Sequence, residues 1–238
     1  MSGPNARRGG QGVEMLIIPF EAIEERARER VGGMQALVGR LPTPKSPDEL
    51  RAVPDDRYLS LMSLRIFRAG LKHSLVDGKW PVFEEVFAGF EPRRVQAMSD
   101  DELEALLNDQ RLIRHWGKLK SVRDNAAAMS RVGTEKGGMG AYLADWPRDD
   151  VVGLWADLAK RFSQMGGNSG PSFLRMAGRD TFILTDSVVG ALNHWDAFDG
   201  KPKSKADRLK VQEVFNHWRK EISRPFCQIS MILALSVD

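Results

Sequence analysis

The chain has 238 residues, 42% of them apolar and 28% charged, with a formal net charge of +3. That composition excludes a mostly disordered or fibrous chain and fits one globular unit, or two small lobes sharing a core. The lone Cys227 excludes an internal disulfide and a thiolate cluster for structural zinc. Apolar runs such as Met231 to Leu235 fall far short of the roughly 20 residues of a bilayer span, so a soluble, cytoplasmic protein is expected.

Residues 1–13 (MSGPNARRGGQGV) hold almost nothing to bury and lack the apolar segment of a signal peptide. They are expected to be a disordered tail before a helical domain over 14–238. Behind Pro19, the spacing of Phe20, Ile23, Ala27 and Val31 predicts a helix with one apolar face. Ser46 with Glu49, and Ser99 with Glu102, have the form of capping boxes, in which serine and glutamate satisfy each other's backbone N–H groups. The second opens a helix that buries Leu103, Leu106 and Leu107.

Arg111 to Arg123 contains Arg111, Arg114, Lys118, Lys120 and Arg123 without an acid, and Lys201 to Lys210 is a second basic stretch. Each reads either as a solvated face or as part of a nucleic-acid footprint. Gly133 to Gly140 reads as a flexible turn. Val151, Leu154, Trp155, Leu158 and Phe162 form a helical apolar stripe, as do Val211, Val214, Phe215, Trp218 and Ile222, and then Phe226, Ile229, Ile232 and Leu233. Only Thr181 to Thr185 has β-type composition, and it is short enough to be an extended loop. The expected fold class is all-α, with about ten helices in two lobes.

The stretch from Gln164 to Pro171 (QMGGNSGP) lies between two helical segments. A glycine-rich hairpin there would bare the N–H groups of Gly166, Gly167, Asn168, Ser169 and Gly170 at the start of the second helix, where they can hold a phosphate oxygen. A plain helix-to-helix turn is the other reading. Further on, Asp186 precedes an apolar helix that contains Val188, Val189 and Leu192. Either Asp186 or Thr185 suits its N-cap, and a carboxylate at a helix end beside a cleft also suits catalysis.

The hairpin, the short helix and the Asp resemble the helix-hairpin-helix DNA glycosylase superfamily. Residues 58 to 192 more narrowly resemble 3-methyladenine DNA glycosylase I. Ala69-Gly70-Leu71 matches that family's Ala-Gly-Leu. The segment from Phe87 to Met98 (FAGFEPRRVQAM) is similar to its Phe-x-x-Phe-Asp-Pro-x-x-Val-Ala-x-Met. Leu112 to Lys118 (LIRHWGK), Asn125-Ala126, and Ser172 to Gly178 (SFLRMAG) are similar to three further blocks in the same order.

The resemblance implies a two-lobed helix-hairpin-helix DNA glycosylase fold acting on damaged duplex DNA as a monomer. It implies Asp186 as the catalytic group, the hairpin as the phosphate anchor, and Arg65, Phe67, Arg68, His73 and Trp116 as base-pocket candidates. A flipped base needs aromatic stacking, for which Tyr58 and Trp80 are also available, although large aromatics more often pack the interior. The position of the lyase lysine in bifunctional relatives is Pro171, which implies a monofunctional enzyme.

The departures from the family pattern concern metal and base. The family's zinc ligands near the chain ends have no counterpart: Ser187 and Ala191 stand at the C-terminal positions, and no N-terminal Cys-His pair exists. No metal and no other cofactor are expected, and the C-terminal helices are expected to staple the N-terminal ones instead. Arg65 stands where the family has a base-contacting Glu, and His73 where it has Trp, so the donor and acceptor pattern facing a base is reversed. The reading is a DNA repair glycosylase releasing an alkylated or otherwise damaged base. A non-catalytic DNA-binding relative is the second reading, and an all-α interaction module the third.

Overall fold

A computed structural model describes residues 18–237, and the expected tail over 1–13 lies outside them. Among the described residues there are fourteen α-helices and no strand. The first three are α1 (Phe20–Val31), α2 (Met34–Val38) and α3 (Pro47–Ala52). Then come α4 (Asp55–Arg68), α5 (His73–Val86), α6 (Pro92–Gln96), α7 (Asp100–Ala105), α8 (Trp116–Lys136) and α9 (Met139–Asp145). The last five are α10 (Val151–Arg161), α11 (Ser169–Ala177), α12 (Asp186–His194), α13 (Lys205–Ile222) and α14 (Phe226–Ser236). The count exceeds the ten expected, and α2 and α6 span only five residues each, too few to display a helical period.

Local chemistry sets the boundaries. Both serine capping boxes form, Ser46 with Glu49 and Ser99 with Glu102, and a third, Ser204 with Asp207, opens α13. The turn expected over Gly133 to Gly140 shrinks to Gly137 and Gly138, both at positive φ, because α8 runs on to Lys136. Gly140 belongs to α9, where a Cβ would lie 2.4 Å from the Leu50 carbonyl oxygen, so its bareness serves the close approach of α9 to α3. Thr181 to Thr185 is an extended loop that buries Phe182.

The helices form two groups around one continuous apolar cluster. In the first, α4 packs on α5 and α8, and α8 also receives α6 and α9. In the second, α1 packs on α13 and α14, and α12 also packs on α14. Between them α10 touches α13 and α11, and α11 packs on α4. The second group ties the first described residues to the C-terminal helices: the Trp218 indole donates to the Ile18 carbonyl at 3.0 Å, the Phe20 N–H donates to Glu221 at 2.9 Å, and Arg224 pairs with Glu24 at 2.6 Å.

Candidate nucleic-acid interface and active site

The hairpin joins α10 to α11 and holds its shape through its own turns and its neighbours. Gln164 and Gly167 take positive φ, which lets the chain reverse within the short connection. Gly166, Gly167 and Asn168 are exposed, and a Cβ on either glycine would meet only open space. Gly170 is different: it is buried, and a Cβ there would sit 3.0 Å from the Met165 carbonyl oxygen. The bare face is the outer one, around Gly166 and Gly167, and Ser169 is half-buried at the first position of α11.

Three side chains bolt this hairpin to the rest of the molecule. Buried Asn125 of α8 accepts from the Ser163 N–H at 2.6 Å and donates to the Ser163 carbonyl at 3.2 Å. Gln164 donates to the Gly117 carbonyl at 2.7 Å, at the start of α8. Asn168 donates through Nδ2 to the Leu184 carbonyl at 3.0 Å, two residues before Asp186. The hairpin, the first turn of α8 and the loop carrying the acid are therefore one connected unit.

At the start of α12 the two N-cap alternatives separate. The Thr185 hydroxyl accepts from the Val188 N–H at 3.2 Å, which makes threonine the cap. Asp186 is the first helical residue, exposed, and its carboxylate makes no hydrogen bond or ion pair with any described residue. A carboxylate at this position faces the positive end of the helix dipole and keeps its oxygens open to a ligand.

The base-pocket candidates scatter. Phe67 is fully buried, edge-on to Phe83 at 4.6 Å and to Trp80 at 6.1 Å, so its ring serves the aromatic core and presents no face to a base. Tyr58 is likewise buried, its hydroxyl donating to the Leu50 carbonyl, and burial pushes the phenol up to about 12. Trp80 stacks on Phe83 and Phe90. His73 is exposed at the first position of α5, and Arg68 is paired with Asp77 at 2.7 Å. Trp116 is half-buried at the first position of α8, one residue before the Gly117 carbonyl that holds the hairpin, and it lines a shallow hollow with Asp101 and Glu104.

Arg65 and Lys118 form an unforeseen pair of inward-turned cations. The Arg65 Nε is buried without a hydrogen-bond partner, and burial together with the Arg68 charge lowers the guanidinium pKa. Lys118 turns inward from the basic stretch and donates to the Phe67 carbonyl at 3.2 Å and the Ala69 carbonyl at 2.7 Å. Burial, then the Arg65 charge, lowers the pKa of its ammonium. The rest of that stretch divides. Arg111 and Arg123 pair with Asp109 and Asp100, whereas the side chains of Arg114 and Lys120 are exposed and bond to no described residue. His115, without metal-ligand spacing, caps α8 by accepting from the Lys118 N–H at 3.3 Å.

The side chains present do not fit the zinc of the family pattern. Ser187 is exposed, Ala191 is fully buried with no donor atom, and no group of three His, Cys, Asp or Glu side chains among the described residues converges on a metal position. Cys227 is buried against the Pro42 carbonyl, and burial pushes its thiol up to about 12.

The likenesses to known proteins agree with this architecture. Residues 50–162 match the family model described as methyladenine glycosylase. No curated protein sequence matches the chain. A solved 8-oxoguanine DNA glycosylase from Methanocaldococcus jannaschii is 13% identical, with 89% of each chain covered and a TM-score of 0.54. The 8-oxoguanine glycosylase/lyase of that organism in complex with a DNA 15-mer is 12% identical over 90% of this chain and 87% of that one, with a TM-score of 0.50. A 3-methyladenine DNA glycosylase I from Staphylococcus aureus is 20% identical, covering 64% of this chain and 91% of that one, with a TM-score of 0.48. Residues 50–162 are thus similar to the methyladenine glycosylase family model, and the chain shares the all-α fold of the solved 8-oxoguanine DNA glycosylase.

Proposed function

We propose that the protein is a DNA glycosylase that releases a damaged base by hydrolysing its N-glycosidic bond. The observation that carries this reading is the unpaired, exposed carboxylate of Asp186, tied to the bare glycine hairpin through the 3.0 Å bond from Asn168 to the Leu184 carbonyl. In this reading the outer N–H groups of Gly166, Gly167 and Asn168 hold a backbone phosphate, the Ser169 N–H being spent on the Gly166 carbonyl at 3.1 Å, and the exposed Arg114 and Lys120 add positive charge. The base leaves the stack because its glycosidic carbon is inaccessible within a duplex. As that bond breaks, the Asp186 carboxylate stabilises positive charge on the sugar and orients the attacking water, which ends as the new hydroxyl at the anomeric carbon.

Base release from duplexes bearing 3-methyladenine, 7-methylguanine, hypoxanthine or uracil is the direct test. Release by the native protein and its loss in Asp186→Asn supports the enzyme; no release from any of them overturns it. The monofunctional reading rests on Pro171, which is buried and has no amine to attack the sugar. Borohydride in the reaction should therefore trap no covalent protein–DNA adduct.

A second reading is favoured by Arg65 and Lys118. Two inward-turned cations beside the end of α4 oppose entry of a cationic alkylated base, which suits a relative that binds DNA without releasing a base. Duplex binding with no release from the whole panel would select it.

A further inference from the structure

Apart from the hairpin and Asp186, the molecule has a cavity of about 610 Å³ between the start of α3, the end of α9 and the turn joining α13 to α14. It shares no lining residue with the candidate site. Five cations line it, Lys45, Arg148, Arg179, Arg219 and Arg224, against two carboxylates, Glu49 and Asp180. Both carboxylates are already engaged by backbone N–H groups: Glu49 accepts from Ser46 at 2.7 Å, and Asp180 accepts from Phe226 at 3.0 Å and Cys227 at 2.9 Å.

Arg179, Arg219 and Arg224 are held by side-chain bonds, and the cluster as a whole is only partly neutralised. Arg179 is 5% exposed and spends its bonds on the neutral carbonyls of Leu143, Asp180 and Trp146. Burial lowers its pKa, the Asp180 carboxylate partly offsets that, and the Arg148 and Arg219 charges lower it further. Arg219 lies 4.9 Å over the Phe226 ring and donates to the Arg148 carbonyl. The Lys45 stem lies on Gly178, where a Cβ would come within 2.7 Å of it, and the Lys45 N–H donates to the Gly178 carbonyl. Among the lining cations only Arg224 has a carboxylate partner, Glu24. A walled cluster of five cations against two carboxylates matches an oxyanion with more than one negative charge and several acceptor oxygens.

We propose that this cavity is a second anion site that binds a phosphoryl group, carried either by the DNA backbone beyond the hairpin or by a free phosphate compound. The site stands without the glycosylase reading, because no residue of the candidate active centre enters it.

Arg148 and Lys45 are exposed and make no side-chain bond to described residues, so the double variant Arg148→Gln, Lys45→Gln should fold normally. In the native protein, 10 mM inorganic phosphate should raise Tm by about 2 °C or more beyond sodium chloride of equal ionic strength, and the double variant should lose that increment. An equal response to phosphate and chloride, or one unchanged by the substitutions, overturns the proposal. The source is read from binding to an undamaged duplex across a salt series. If DNA supplies the phosphate, the double variant lowers the slope of log K against log salt by about 0.9 for each phosphate it no longer neutralises. If a free compound supplies it, the slope is unchanged while the phosphate increment disappears. Loss of base release in Asp186→Asn leaves all of these outcomes in place.

Discussion

Asp186 owes its freedom to its neighbour. Thr185 takes over the capping bond that an aspartate at that place would otherwise make, and the carboxylate is left with no structural duty. The consequence is a separation of stability from activity: Asp186→Asn should abolish base release while moving Tm by less than about 2 °C, because an exposed side chain without partners contributes within about 0.5 kcal/mol. Calorimetry beside the release assay checks it, and a large drop in Tm would return Asp186 to a structural role. Arg65 teaches the opposite lesson. Its position in the family pattern suggests contact with a base, but its buried, unpartnered Nε and the neighbouring inward-turned Lys118 came from packing that no local motif encodes.

At the scale of elements, the hairpin is positioned by helix α8 rather than by its own glycines. Asn125 and the Gly117 carbonyl fix its entry, and Asn168 carries that order across to the α12 start. Removing the last link with Asn168→Ala should lower base release about tenfold, the size expected when about 1.4 kcal/mol of positioning is removed. Melting should change little, since the bond is on the surface. The caps give a pH-dependent expectation. The bonds from Ser99 hold the Glu102 carboxyl below its ordinary range in the folded chain. Its contribution to stability is therefore full above the unfolded value and is lost as pH falls through the folded one. The gap in Tm between the native protein and Glu102→Ala should accordingly be widest near neutrality and narrow as pH falls below the unfolded value of about 4.3. A gap that stays constant down to about pH 3 would contradict the capping role.

For the whole molecule, the first described helix, α1, and the last two, α13 and α14, pack on one another. The Phe20 and Trp218 rings lie 5.3 Å apart, and Phe215 and Phe226 pack on Phe182. A chain ended after Gly200 loses α13 and α14 and uncovers Phe20, which packs on Trp218, and Phe182, which packs on Phe215. It should be recovered in the insoluble fraction. A soluble truncated chain with a cooperative melt would refute the stapling role of the C-terminal helices. No helix among the described residues is long and apolar enough to cross a membrane.

What the sequence determined by itself is local and periodic. The stripe beginning at Phe20 ends at Val31 as its spacing requires, and the serine boxes at Ser46 and Ser99 start their helices. The turn before α11 and the start of α12 at Asp186 were legible too, from a short run of glycines and an Asp before an apolar helix, because turn and cap chemistry act within a few residues. Tertiary structure alone decided which side chains face water. Phe67 and Trp80 joined one aromatic core, Lys118 left a basic stretch for the inside, and Arg179, silent in any local pattern, became a buried wall of the basic cavity. The physical reason is range: a helix period or a cap bond spans a few residues, whereas burial depends on what the rest of the chain brings against each face.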